Sequence, residues 1–295
     1  MIQSQIAAFA TQTLGFEDCR FTDPFLREEL DEYREWITKN RVGDMGYLTR
    51  HLPMKENPAL LLQGVRSAIV VIKNYKNTAQ QYLEGEKKIA RYAAGLDYHE
   101  VMQEKLQALS VFITEIQPEV RTYIGVDSRP IPERSLALKA GIGFRGKNTM
   151  VIRPKIGSYF LIGVMYTTLA FEPDKPFIGT CGTCTRCVDA CPTQALSLDG
   201  KMEAEKCISY RTIEHKTPLP REELDAYQGW IFGCDICQEV CPFNHPKTPL
   251  TDWESFQPHS GVGFRFESDI PKASALYRSR KRLLANVGAL KNTQH

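Results

Sequence analysis

Residues 181–192 read Cys181-Gly-Thr-Cys184-Thr-Arg-Cys187-Val-Asp-Ala-Cys191-Pro192. The run C-x2-C-x2-C-x3-C-P, the ligand spacing of bacterial 4Fe–4S ferredoxin domains, is met at every position. Three cysteines at this spacing wrap three irons of one cubane, and the fourth points away to serve a second. Zinc ribbons use cysteine pairs separated by a longer loop, so zinc fits the stretch poorly. Downstream, Cys234-Asp-Ile-Cys237-Gln-Glu-Val-Cys241-Pro242 is an incomplete copy that lacks one cysteine. Cys207, upstream, fills the vacancy. The crossed ligation of two-cluster ferredoxins gives Cys181, Cys184, Cys187 and Cys241 to one cluster, and Cys191, Cys207, Cys234 and Cys237 to the other. Of the nine cysteines only Cys19 is left over, and it reads as a small buried hydrophobe.

A disulfide framework would need an oxidising compartment. The N-terminus has no basic segment leading into an apolar run, so it does not read as a secretory signal. No stretch is apolar for the roughly 18 residues a membrane span needs. The expected setting is cytoplasmic, away from membranes, with thiols reduced or metal-bound. The chain has 295 residues, 42% hydrophobic and 24% charged, an ordinary globular composition with room for two domains. A formal net charge of +2 argues neither for nor against nucleic acid. Locally, Arg278, Arg280, Lys281 and Arg282 form a basic run, either a solvated helix face or a set of phosphate contacts.

Upstream of the cysteines, helical and strand-like patterns mix, which points to an α+β or α/β sandwich. Helices are expected over Met1–Leu14, Pro24–Lys39 with Asp23 as a start signal, and His99–Ile116. Glu133–Ala140 is a short helix that ends at Gly141. Ser67–Lys73 reads as a buried strand and Arg121–Val126 as another. Val151–Ile152 and Tyr159–Leu169 read as a hairpin. The polar, Pro-rich segment 171–176 marks a boundary. The expected organisation is a catalytic domain over 1–170, a cluster domain over 171–246 and a tail over 247–295 with a basic helix from Ser274 to Leu290.

Two clusters alone imply electron transfer, not a reaction. A polar constellation in the first domain offers more: Val126-Asp127-Ser128-Arg129-Pro130, followed by Gly141-Ile-Gly-Phe-Arg-Gly146-Lys147-Asn148-Thr149. Asp127 ends an expected strand, and the glycines allow backbone to approach a bulky flat ligand. The alternatives are a tight turn with a helix cap, and an Asp127 that is only a cap or ion-pair partner. Gly141, Gly143 and Gly146 spell GxGxxG, but they follow a helix and precede a strand, the wrong order for a dinucleotide site.

Further motifs stand in order: GDMGYLTRHL at 43–52, ARYAAGLDYH at 90–99, VDSRPIPER at 126–134, KAGIGFRGKNT at 139–149, the first cysteine run, CISYRTIEHK at 207–216 and GCDICQEVCPFN at 233–244. With this set the chain resembles the epoxyqueuosine reductase (QueG) family, from about Met45 to Asn244. The resemblance implies reduction of epoxyqueuosine to queuosine at the wobble position of tRNA, with cobalamin and two 4Fe–4S clusters. It implies a nitroreductase-like α/β cobalamin-binding domain followed by a ferredoxin-like domain. Family members often continue into C-terminal helical repeats that help hold tRNA. Here most of those repeats are expected to be missing.

By family position, Asp127 is the proton donor to the departing epoxide oxygen, which requires desolvation over the corrin to raise its pKa. Arg50, Asp127, Asn148, Thr149 and Ser158 are expected around the corrin on one side, and Ser209, Asp235 and Ile236 on the other. Asp235 and Ile236 lie between two ligands of the second cluster, which makes that cluster the expected donor to cobalt. His99 reads as structural. Arg278, Arg280, Lys281 and Arg282, with Arg211, His215 and Lys216, are candidate contacts to the tRNA anticodon stem-loop. The expected form is a monomer served by an external low-potential electron donor. A corrinoid reductive dehalogenase-like reductase of a small substrate, a non-catalytic two-cluster electron carrier and a zinc-bound tRNA-binding module are the competing readings.

Overall fold

The computed structural model describes residues 2–39, 42–77, 82–83, 87–258 and 270–291. Its strands are β1 (Asp18–Thr22), β2 (Ser67–Asn74), β3 (Tyr82–Leu83), β4 (Lys87–Ile89), β5 (Thr122–Gly125), β6 (Phe144–Arg145), β7 (Val151–Ile152), β8 (Phe160–Thr167) and β9 (Trp230–Phe232). Its α-helices are α1 (Ile2–Ala8), α2 (Asp31–Thr38), α3 (Tyr47–Glu56), α4 (Tyr98–Ile116), α5 (Glu133–Lys139), α6 (Arg186–Asp189), α7 (Ile208–Ile213), α8 (Arg221–Ala226), α9 (Ile236–Glu239) and α10 (Arg280–Lys291). This is an α+β architecture. No helix among the described residues is long and apolar enough to cross a membrane.

The continuous apolar run of β2 is buried along its whole length, because it lies inside a four-stranded sheet of order β1-β2-β8-β5 with helices on both faces. Strand residues alternate between faces. Ile69 and Val71 join Met102, Leu106, Leu109 and Ile113 of α4 in one core. Ala68, Val70 and Ile72 join Leu136, Ala137 and Ala140 of α5 in the other. All pairings in this sheet are antiparallel. Asp97 caps α4 by accepting the His99 backbone N–H at 3.0 Å, a contact of about 1 kcal/mol. That cap, with Ser110 bonded to Thr122 of β5 at 2.6 Å, sets the first turn of α4 beside the end of β5.

Three sequence expectations are corrected. Val151–Ile152 does not form a hairpin with Tyr159–Leu169. It pairs with β6, while β8 lies between β2 and β5, and the link makes its own tight turn, Arg153 bridging Gly157. The helix expected from Pro24 begins at Asp31 after a 3-10 turn, because the Asp23 and Glu29 carboxylates take the Phe25 and Arg27 backbone N–H groups in bonds that compete with a helix. The C-terminal helix begins at Arg280, not Ser274. Upstream, the Ala273 carbonyl accepts the Asp97 N–H, and Ser274 bridges Leu96. Met1 lies outside the described residues.

Contacts cross freely between the first 170 residues and the cysteine-rich part. β4 pairs in parallel with β9. At the end of β2, buried Lys73 ion-pairs with Glu17 at 3.1 Å and with Asp252. Asn74 donates to the Pro249 carbonyl at 2.8 Å, and Lys76 to the His245 carbonyl at 3.0 Å. Asn244, just past Cys241, accepts the Ser158 N–H at 2.7 Å and donates to the Ser158 hydroxyl at 2.9 Å and the Gln238 carbonyl at 2.8 Å. Removing the Asn244 amide strands these buried partners, at about 1–3 kcal/mol for each unsatisfied group. Asn244→Ala should therefore lower the thermal midpoint of the anaerobically reconstituted protein by several degrees. An unchanged midpoint would show that the amide does not hold the two parts together.

Candidate cofactor sites and active site

The cysteine runs form short loops and single-turn helices, and all nine thiols are free of disulfides. Cys181, Cys184, Cys187 and Cys241 line one cavity together with Lys147, Asn148, Ile152 and Phe243. The other thiols lie close enough to raise one another: burial first, then Cys207 and Cys191, push up Cys234, and burial first, then Cys234 and Cys207, push up Cys237. Backbone N–H groups aim at the sulfurs, Lys147 at Cys181 (3.5 Å) and Ala195 at Cys191 (3.3 Å). Clustered thiols whose charged forms are disfavoured by burial and by one another are poor as free thiolates. They fit cationic iron–sulfur cores, which draw the protons off.

Past the end of β5 the chain turns through Asp127 in the left-handed region, φ 52°. Its N–H donates to the Glu133 carboxylate at 2.5 Å. Its Oδ2 accepts the Tyr98 hydroxyl at 2.7 Å and pairs with His99 Nε2 at 3.1 Å. His99 Nδ1 meets Asp97 Oδ1 at 2.7 Å, and Arg278 stands 3.7 Å from the other Asp97 oxygen. The Asp127 side chain is 62% accessible, and the protein packed around it still opposes charge on its carboxyl. Half-buried Tyr92 is raised by burial first, and then by the charges of Asp127 and Asp235. His99 and the neighbours of Asp127 in the chain, Val126 and Ser128, line a crevice together with Asp97 and Arg278.

Within the protein alone, the charges at Asp127 and His99 are set by their mutual contacts. Desolvation pushes the Asp127 carboxyl up, but hydrogen bonds from His99 and Tyr98 and the charges of His99 and Arg134 outweigh it and hold it below its ordinary value. Desolvation opposes charge on His99, but bonds to Asp127 and Asp97 lift it to about 9. The proton therefore resides on His99, not on Asp127. His99 was read as structural from sequence. The signal was available in Asp97-Tyr98-His99, where a helix cap presents two consecutive side chains to one point. Burial, then Asp127, raises the neighbouring Glu133 to about 8, and burial lowers Lys55 to about 8.

The remaining expected residues are dispersed. Asn148 is buried and donates to the Cys237 carbonyl at 3.3 Å. Thr149 has φ 66° and a buried hydroxyl without a protein partner, at the edge of a cavity of about 370 Å³ that also touches Tyr33, Trp36, Arg134 and Arg145. An orphaned buried hydroxyl on an empty cavity fits a large polar-edged cofactor. Asp235 is buried and takes the Arg91 N–H at 2.8 Å, and Ile236 packs near Tyr92 and Cys234. Arg50 is exposed on α3, and Ser209 is half-buried in the first turn of α7. The Ser158 hydroxyl is engaged by Gln238 and Asn244.

The basic run splits. Arg278 reaches the Asp97 side of the crevice and Lys281 is exposed. Arg280 lies over the Tyr277 ring at 4.0 Å. Arg282 turns inward to the Thr217 and Arg211 carbonyls, 2.8 Å each. Arg211 pairs with Glu223, and His215 with Asp44. Lys216 is exposed.

Comparisons with known proteins identify the family. Residues 180–244 match the family described as 4Fe-4S double cluster binding domain, and residues 55–128 match "Epoxyqueuosine reductase QueG, DUF1730". An epoxyqueuosine reductase from Cyclobacterium marinum is 39% identical over 264 residues, 88% of this chain and 84% of that protein. One from Cellulophaga algicola is 39% identical over 247 residues, 83% of this chain and 80% of that protein. The epoxyqueuosine reductase structure from Streptococcus thermophilus superposes with a TM-score of 0.82 at 28% identity, over 99% of this chain and 81% of that one. A structure of epoxyqueuosine reductase with an epoxyqueuosine-modified tRNA stem loop superposes at 0.77 and 26% identity, over 99% of this chain and 82% of that one. With relatives 39% identical over most of its length and both family models matched, the chain belongs to the epoxyqueuosine reductase family, oxidoreductases of queuosine biosynthesis in tRNA.

Proposed function

We propose that the family's reduction runs here in the crevice at Asp127, with cobalamin held between the nitroreductase-like sheet domain and the cysteine-rich part. The observation that carries this reading is the hydrogen-bonded assembly of Asp97, Tyr98, His99 and Asp127 beside a crevice of about 550 Å³. Cobalamin would supply a soft, electron-rich cobalt centre, recharged through the clusters by an external donor. Thr149, with its free hydroxyl, Asn148 and Arg50 would hold the corrin edge on one side, and Ile236, Asp235 and Ser209 would close the other.

Removing an epoxide oxygen as water consumes two electrons and two protons. The chain's part is the first of these protons, the second coming from solvent as the hydroxyl leaves as water. His99 holds it at neutral pH, and Asp127, bonded to His99 and open to the crevice, passes it to the oxygen as charge develops there. Tyr98 fixes the carboxylate oxygen that does so. General acids of this kind contribute about 10²–10⁴-fold.

On the RNA side, a crevice of about 550 Å³ beside His99 is lined by Gln103, Arg129, Lys272, Tyr277 and Arg278, among others. Cations around an aromatic ring suit the phosphates and a splayed base of a single-stranded anticodon loop. Arg282 is occupied within the protein, so phosphate contacts fall to Arg129, Lys272, Arg278 and Lys281.

The deciding test is anaerobic turnover of an anticodon stem-loop carrying epoxyqueuosine, with the nucleoside read by mass. Loss of one oxygen should depend on added cobalamin, and loss at the same rate without it would remove cobalamin from the reading. Asp127→Asn and His99→Gln should each bind cobalamin normally by absorbance yet turn over about 10²-fold or more slowly. Full turnover in either variant would exclude that residue from the proton path. His99 is raised from 6.5 to about 9, so its proton is present through neutral pH and is lost as pH rises through about 9. Turnover should fall across that window, and a flat profile to higher pH would place the proton elsewhere. Neutralising Arg278 and Lys281 together should flatten the salt dependence of stem-loop binding by about 0.7 in log–log slope per lost contact. An unchanged slope would return both to a solvated surface.

A further inference from the structure

We propose that the exposed segment 177–183, over the cavity of Cys181, Cys184, Cys187 and Cys241, is the docking face for an acidic one-electron carrier protein. The inference rests on the two-cluster reading above and names where electrons enter and what kind of protein brings them.

Ile178 is 96% exposed and Phe177 40% exposed. Full burial of such a side chain is worth about 1.5–3 kcal/mol, a gain left unused on the isolated chain. Single exposed hydrophobes are common, but this pair continues inward. The Phe177 ring stacks on Phe144 with centroids 6.4 Å apart, and Phe144 meets Phe243 edge-on at 5.3 Å. Phe144 and Phe243 pack with Cys241 and Cys181. An apolar path therefore runs from the outer surface to two of the four thiols.

The covering over those thiols is thin because the sequence there is Gly-Thr-Cys-Gly-Thr-Cys. A side chain on Gly179 would come within 2.6 Å of the Phe144 ring and 2.7 Å of the Phe177 ring, so that backbone lies flat on the aromatic pair. At Gly182, φ 55°, a side chain would meet nothing and would point into solvent. Backbone without bulk lets a partner approach the redox centre closely.

The charges select the partner. Lys175 and Arg186 are exposed beside the patch, and the Lys147 ammonium is held over the loop by the Gly182 and Cys184 carbonyls, 3.0 Å each. The acids beside these cations are engaged within the protein: Asp189 accepts the Thr185 hydroxyl at 2.7 Å, Asp174 accepts the Phe21 N–H at 2.8 Å, and Glu239 lies 3.5 Å from Arg91. A small apolar centre with a cationic rim suits an acidic protein that binds briefly. Electron-transfer encounters bury less than about 1,200 Å², and charge complementarity sets their on-rate. The step moves one electron: the carrier is oxidised by one, the cluster is reduced by one, and no bond is made or broken. Two such encounters supply one turnover.

The test compares two reductants on the reconstituted holoprotein, following bleaching of cluster absorbance by stopped flow. Reduced flavodoxin serves as the acidic protein probe, and dithionite as the small one. Ile178→Asp, a change at a nearly fully exposed position, should slow reduction by flavodoxin about tenfold or more through lost contact and like-charge repulsion. Dithionite reduction should stay unchanged. Added salt should slow the wild type with flavodoxin alone. Equal flavodoxin rates in wild type and Ile178→Asp overturn the proposal, and so does equal slowing with both reductants, which would mean a damaged cluster. A wild type that self-associates through this patch, with flavodoxin rates unaffected by the variant, assigns the face to a second copy and overturns it too. A holoprotein with no cluster absorbance under either reductant fails the two-cluster reading itself.

Discussion

The strongest single tie between the sheet and the cysteine-rich part is the far end of β2, which is fastened to chain that comes after the last cluster cysteine. Lys73 is buried against Glu17 and Asp252, and Asn74 and Lys76 take carbonyls from residues 245–249. A buried lysine is costly unless it is paired and hydrogen-bonded, and Lys73 meets that demand with two carboxylates and the Gly15 carbonyl at 2.8 Å. The same strand is the middle of the hydrophobic sheet. One element thus roots the apolar core and fixes the position of the cysteine-rich part over it, which sets the width of the opening at Asp127.

Inside that opening, several titratable groups compete for few charges. Asp127 and Glu133 lie next to each other, and burial disfavours charge on both. The conflict is resolved unequally. Asp127 has His99 and Tyr98 and stays ionised, whereas Glu133 accepts a backbone N–H from Asp127 and is raised. The result is a protonated imidazole bonded to an ionised carboxylate at the wall of a polar-edged cavity. A desolvated aspartic acid acting alone would be a different device, with its proton stored on the oxygen that delivers it.

Much of this was legible before any coordinates. The cysteine spacing named the cluster domain because metal geometry leaves little freedom in ligand spacing. The β2 run named the central strand because only burial on both faces tolerates unbroken Ala-Ile-Val-Val-Ile. Asp127 was singled out by its place after a strand. What escaped notice depends on long-range partners. His99 looks unremarkable until β5 delivers Asp127 to it. Arg282 is one of a basic run until the Thr217 and Arg211 carbonyls claim it. Strand pairing failed as well, because Val151–Ile152 and β8 are close in sequence but belong to different sheets.

The parallel pairing of β4 with β9 joins Lys88 to Trp230, neighbours in space that lie far apart in the chain. Such contacts come with a large loop-closure cost and form late in folding. During synthesis, the edge of β4 and the apolar side chain of Ile89 wait unpaired until Trp230–Phe232 has been made, a condition that favours aggregation. The wall behind Asp235 is therefore among the last surfaces to be completed, and the yield of soluble protein in a cell is bound to how fast the cysteine-rich half is translated and folded.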